Sequence, residues 1–135
     1  MLITRRVEFS ASHACYNPAL SERENRELFG AAANPHGHGH NYVVEVTLKG
    51  DPDPVTGMII DLRRLKAILS REVVEPFDHR FLNREAPSFD RVIPTAENVA
   101  IDIWKRIEPH LDGRLHAVRL YETDDLYVDY FGEGS

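Results

Sequence analysis

The sequence predicts an α+β domain: a four-stranded, largely antiparallel sheet with two helices on one face. Three observations carry this. Alternating, β-branched segments stand at both ends of the chain. Two segments with helical apolar spacing lie between them, so the order reads β-β-α-α-β-β. The length, 135 residues with 42% apolar types, suits one compact core. A single domain over residues 1–135 is therefore expected. Such a sheet keeps a second face, which must be polar or partnered, and two edge strands, which need protection. Closure of several sheets into a barrel meets both needs.

The elements follow in order. In LITRRVEF (2–9), Ile3, Arg5, Val7 and Phe9 share one parity, as a strand requires. Residues 14–37 are polar and rich in Ala and Gly, with a short helical turn expected after Ser21 in SERENRELF. NYVVEVTL (41–48) alternates and is β-branched, with Tyr42, Val44, Val46 and Leu48 on one face. GDPDPVTG (50–57) is turn chemistry. Asp61 is a plausible N-cap for LRRLKAILSREVVE, whose Leu62, Leu65, Ile68, Leu69 and Val73 form one stripe, and Pro76 should stop that helix. A loop runs to Pro94. Thr95 then caps AENVAIDIWKRI, where Ala96, Val99, Ala100, Ile103, Trp104 and Ile107 follow helical spacing. LHAVRLYE (115–122) and LYVDYF (126–131) read as two strands joined by a short turn.

Composition excludes several classes of function. Sixteen basic against 22 acidic residues give a net charge of −6, the wrong sign for a nucleic-acid binder. No apolar run approaches a membrane span, and MLITRRVEF lacks the apolar stretch of a secretory signal. One cysteine, Cys15, fits a reducing compartment, so a cytoplasmic location is expected. The unusual feature is histidine: His13, His36, His38 and His40 crowd together out of seven in the chain.

In a strand, residues i and i+2 point the same way about 7 Å apart. His38 and His40 therefore present two imidazoles on one face, and the intervening Gly39 leaves the backbone approachable. His13 has the parity of Phe9. If the first two strands pair as a long-looped hairpin, His13 meets His38 and His40. Three imidazoles without a fourth protein ligand describe an open, catalytic zinc site. His36 reads as a neighbour of that site or a loop residue, and His110 and His116 as structural.

Other candidates are weaker alone. In Asp78-His79 the acid can orient and charge-stabilise the imidazole for proton transfer. Glu122 ends a strand whose parity-mates Val118 and Leu120 are apolar, so its carboxylate needs a partner: a salt bridge or a ligand's N–H edge. Thr95 is first an N-cap and Glu97 first a favourable charge at a helix N-terminus, although both border a possible pocket.

Together, FSASH (9–13), GHGHNY (37–42), DPVTGMIID (53–61), FDHRFLN (77–83), PTAENVAIDIW (94–104) and YET (121–123) resemble the 6-pyruvoyltetrahydropterin synthase family, which includes 6-carboxytetrahydropterin synthases. The ordered set spans nearly the whole chain. The resemblance implies a tunnelling fold whose trimers close into a barrel and stack into a homohexamer. It implies a cytoplasmic enzyme of tetrahydrobiopterin or queuosine-precursor synthesis acting on 7,8-dihydroneopterin triphosphate. It further implies Zn2+ on His13, His38 and His40, proton transfer by Asp78 and His79, and substrate contacts from Glu122, Thr95 and Glu97. Arg5, Arg6 and Arg80 are available for the triphosphate, with no assignment among them.

One departure matters. The family's general base is a cysteine shortly before the HGH pair, and here the corresponding positions hold Ala32 and Asn34. Three explanations stand: a Cys→Ala change at 32 made to trap substrate, a natural member using another base such as Glu24 or Glu27, or a pterin-binding protein without catalysis.

Overall fold

A computed structural model describes residues 1–132, so the last three residues of the expected 1–135 domain lie outside the described ones. The chain forms an α+β fold around one sheet. Its order is β3-β1-β2-β4-β5, built from β1 (Leu2–His13), β2 (His38–Lys49), β3 (Arg80–Phe81), β4 (Leu115–Thr123) and β5 (Leu126–Tyr130). The helices are α1 (Glu22–Phe29), α2 (Leu62–Leu69), α3 (Glu75–Phe77), α4 (Leu82–Glu85) and α5 (Ala96–Ile107).

The expected four-stranded sheet is corrected to five. The added strand, β3, has two residues and runs parallel to β1, pairing Ala11 with Arg80 and Ser12 with Phe81. So short a strand has no periodicity of its own; pairing with β1 defines it. The four longer strands are antiparallel, as expected.

Alternation decides the two faces of the sheet. Phe9, Ala11, Tyr42, Val44, Val46, Leu48, Val118 and Leu120 are buried and meet the apolar stripes of α2 and α5. Phe9 stacks on Tyr42 with centroids 4.9 Å apart. The other face carries a row of alternating charge in register across four strands, Arg6, Glu45, Arg119 and Asp129. Arg119 grips Asp129 with two bonds of 2.7 and 3.0 Å, a geometry that outweighs an ordinary surface pair.

Local signals set the helix starts. Ser21 and Glu24 form a reciprocal capping box at α1. Asp61 accepts from the Arg63 N–H at α2, and Thr95 from the Asn98 N–H at α5. Pro76 does not stop the second helical segment at its edge, as expected. A π turn over Ser70–Val74 widens the helix, with the Glu75 N–H reaching the Ser70 carbonyl, and Pro76 then sits inside α3. The wider turn accommodates a residue that lacks an N–H and crowds the preceding turn.

Ile103 is fully buried in this core. Ile103→Ala should cost about 2–5 kcal/mol, read as a lowered urea midpoint of the metal-free protein at unchanged slope.

Candidate metal centre

The β1–β2 register ends on the pair His13–His38, with Ala11 opposite His40. His13 is the last residue of β1 and the two others open β2, so the hairpin brings together what the sequence separates. The three rings lie at centroid distances of 4.5, 5.1 and 4.9 Å, all edge to face. One ligand atom from each lies within 4.8 Å of the others.

Gly37, ahead of the two β2 histidines, acts by having no side chain. Gly37 has φ +78°, and a Cβ there would come 2.9 Å from the Phe81 ring and 3.2 Å from the His13 carbonyl. Only glycine combines that dihedral with that approach.

His13 is 1% exposed. Its Nδ1 lies 2.6 Å from the Pro94 carbonyl. A carbonyl only accepts, so Nδ1 carries the hydrogen and Nε2 keeps its lone pair. Among the described residues, the Nε2 atoms of His13 and His40 are both buried without a hydrogen-bond partner. Burying polar nitrogens unpaired is costly, and a metal ion satisfies both at once. The donor set, three imidazoles of which two are held in this way, fits zinc.

Glu122 sits at the irregularity where β4 slips against β5 between Tyr121 and Thr123. Its carboxylate lies 3.7 Å from His40 Nε2 and 4.0 Å from His13 Nε2. Its carboxylate thus faces the imidazole cluster, and it forms an ion pair there only when a ring is protonated. Burial lowers the pKa of His13, opposed by the Pro94 bond and Glu122, with His38 and His40 lowering it further. Burial also lowers His40, opposed by Glu122. Both rings stay neutral, the form that binds metal.

Asp78 and His79 also meet, with His79 Nδ1 2.9 Å from Asp78 Oδ2. The Ser10 N–H donates to Asp78 Oδ1 at 2.9 Å. That bond first, and then His79, hold the carboxyl below its ordinary pKa. His79 adopts φ +60°, unusual outside glycine. It lines one cleft with His40, Arg80 and Glu85.

The remaining candidates divide. Thr95 caps α5, and Glu97 is exposed in its first turn; neither is among the residues that line the cleft of His40 and His79. His36 is exposed in a turn. His110 pairs with Glu72 at 3.3 Å, and the His116 ring lies edge-on to Phe131. Glu24 is held in the capping box, and Glu27 pairs with Arg23 at 3.3 Å on the exposed side of α1. Arg6 pairs with Glu8 and Glu45, and Arg80 with Glu85.

Sequence reasoning missed the surroundings of His13. Tyr42 brings its hydroxyl to 3.4 Å and Cys15 its sulfur to 4.0 Å from Nδ1. The Cys15 N–H donates to the Ala32 carbonyl at 2.8 Å, so the lone cysteine lies beside the segment that carries Ala32. Burial first, then Glu122 and Glu97, push its thiol up to about 11, and it stays protonated at neutral pH. Parity hinted at Tyr42; nothing local marked Cys15.

Because His13 and His40 titrate below the ordinary value of 6.5, the unfolded chain binds more protons than the folded one as pH drops through that value. Metal-free stability should therefore be full above about pH 6.5 and fall as pH drops toward the lowered folded values. Urea midpoints between about pH 7.5 and 5.5 check this, and His40→Gln should flatten the slope.

The family model for 6-pyruvoyl tetrahydropterin synthase matches residues 2–133. The human 6-pyruvoyl tetrahydrobiopterin synthase is 46% identical over 97% of this chain and 91% of its own length. A 6-carboxy-5,6,7,8-tetrahydropterin synthase of Rickettsia conorii is 28% identical over 93% of this chain and 96% of that protein. The solved 6-pyruvoyl tetrahydropterin synthase of Caenorhabditis elegans superposes with a TM-score of 0.94 at 37% identity, covering 98% of this chain and 95% of that one. With this fold, and with three imidazoles gathered at the end of one hairpin, the chain belongs to the 6-pyruvoyl tetrahydropterin synthase family of lyase-type enzymes.

Proposed function

We propose that the chain is one pterin-synthase domain that binds Zn2+ through His13, His38 and His40 and converts 7,8-dihydroneopterin triphosphate to a 6-substituted tetrahydropterin. The observation that carries this is the pair of buried, unpartnered Nε2 atoms on His13 and His40, converging with His38. Bound zinc would supply Lewis-acid polarisation of the substrate's side-chain oxygens.

The chain's own groups take the other roles. Glu122 accepts from the pterin's 2-amino and N3–H edge, two parallel bonds that orient as well as bind. His79, steadied by the Asp78 carboxylate at 2.9 Å, moves the proton at the side chain. Thr95 and Glu97, at the start of α5 beside the Pro94 carbonyl that holds His13, are assigned to the pterin pocket, contributed to a neighbouring subunit. That assignment belongs with a barrel of sheets and a homohexamer. Support for the barrel comes from the polar sheet face and from the edge position of β5, where Leu126 and Tyr127 are about half exposed. No described helix is long and apolar enough to cross a membrane; a cytoplasmic location is part of the same reading.

The 6-pyruvoyl product is favoured over the 6-carboxy product. Identity is 46% to the human 6-pyruvoyl enzyme and 28% to the 6-carboxy enzyme. A second reading, pterin binding without turnover, draws support from Ala32 and from the protonated thiol of Cys15. A Cys→Ala change made to trap substrate belongs to the same reading.

Metal analysis of protein purified without added zinc should find close to one zinc per chain. Incubation with 7,8-dihydroneopterin triphosphate and mass spectrometry should find the 6-pyruvoyl product. Ala32→Cys should raise the rate by ~10²–10⁴, the worth of a positioned general base. No product from either form, with pterin still bound, would establish the binding-only reading.

A further inference from the structure

Two asparagines without a role in the chemistry above are linked to His13, one through the next residue and one through the Pro94 turn. Asn83 lies just past β3. Its Oδ1 accepts from the Ala14 N–H at 2.8 Å, and its Nδ2 donates to the Ala14 carbonyl at 2.8 Å. A side-chain amide thus makes the two-point pairing of a strand residue, with the residue directly after the ligand. Between Asp78 and Asn83 the chain is tied along β1: Ser10 N–H to Asp78, His79 N–H to the Ser10 carbonyl at 2.6 Å, then the two β3 pairs. Asn83 closes that run where β1 ends.

Asn98 works on the turn that carries Pro94. Its Nδ2 donates to the Ile93 carbonyl at 2.9 Å, and its backbone N–H donates to Thr95 Oγ1 at 3.3 Å. The Thr95 N–H also donates to the Ile93 carbonyl, at 2.8 Å. These bonds hold Ile93–Thr95 in one turn, and the Pro94 carbonyl inside that turn receives the His13 Nδ1 hydrogen at 2.6 Å. If the turn relaxes, the carbonyl moves and neither the tautomer nor the ring angle is specified.

We propose that Asn83 and Asn98 are positioning residues of the metal centre, Asn83 fixing the backbone that carries His13 and Asn98 fixing the carbonyl that orients its ring. This rests on the metal reading above. Groups that orient a ligand from behind typically contribute ~10–100-fold to metal affinity, whereas a merely structural asparagine would lower stability and leave affinity alone.

The test is zinc affinity of the full chain, by competition with a chromophoric chelator, for wild type, Asn83→Ala and Asn98→Ala. Each variant should bind ~10–100-fold more weakly. Long-range proton–nitrogen NMR of the metal-free protein should show His13 as the Nδ1–H tautomer in wild type and as a mixture in Asn98→Ala. Where an alanine variant does not fold, Asn83→Asp and Asn98→Asp replace it, since each keeps the volume and loses the amide donor. The same two measurements then decide. Wild-type zinc binding with unchanged variants, or an unchanged tautomer in the Asn98 variant, overturns this inference alone. A wild-type chain without a tight zinc site overturns it together with the metal reading.

Discussion

The structure depends on the register of one antiparallel pair. From Leu2 opposite Lys49 to His13 opposite His38, β1 and β2 stay in step along their whole length. Side chains alternate with period two, so a slip of one residue would turn Phe9, Ala11 and His13 out of the core together. The apolar face that the helices cover and the face that presents the imidazoles are one face. Burial of Tyr42, Val44, Val46 and Leu48, all fully enclosed, thus pins the positions of His38 and His40 further along the same strand. The hydrophobic core does the positioning, and the site inherits its accuracy.

That inheritance has an electrostatic cost. Three imidazoles at the closed end of a sheet repel one another when charged, and burial favours their neutral forms. Glu122, placed where β4 slips against β5, opposes this by favouring positive charge on His13 and His40. Two ring nitrogens remain unpaired among the described residues. Such groups are expensive to bury and are tolerated where an occupant compensates them.

Much of this was legible in the residues. Parity placed His38 and His40 on one face, an assumed hairpin and the family resemblance added His13, and cap chemistry placed Asp61 and Thr95 at helix starts. Long-range pairing was not legible. β3 has two residues and exists through its bonds to β1. The π turn before Pro76 is a three-dimensional answer to a proline that a linear reading takes as a stop. Cys15 became a neighbour of His13 only once the chain turned back to bond Ala32. The asparagines were invisible for the same reason: a side chain that pairs with a distant peptide leaves no periodic trace.

The segment between His13 and His38 carries α1 and the Ala32 position, and it is anchored at both ends by the same strand pair. The entropy of closing such an excursion grows slowly, by about 0.6 kcal/mol for each doubling of its length. Residues can enter or leave it with little effect on the frame that carries the three imidazoles. The three imidazoles are held in the sheet, whereas α1 and Ala32 ride on the excursion between its first two strands. What stands at position 32 is therefore only loosely coupled to the register that gathers the imidazoles.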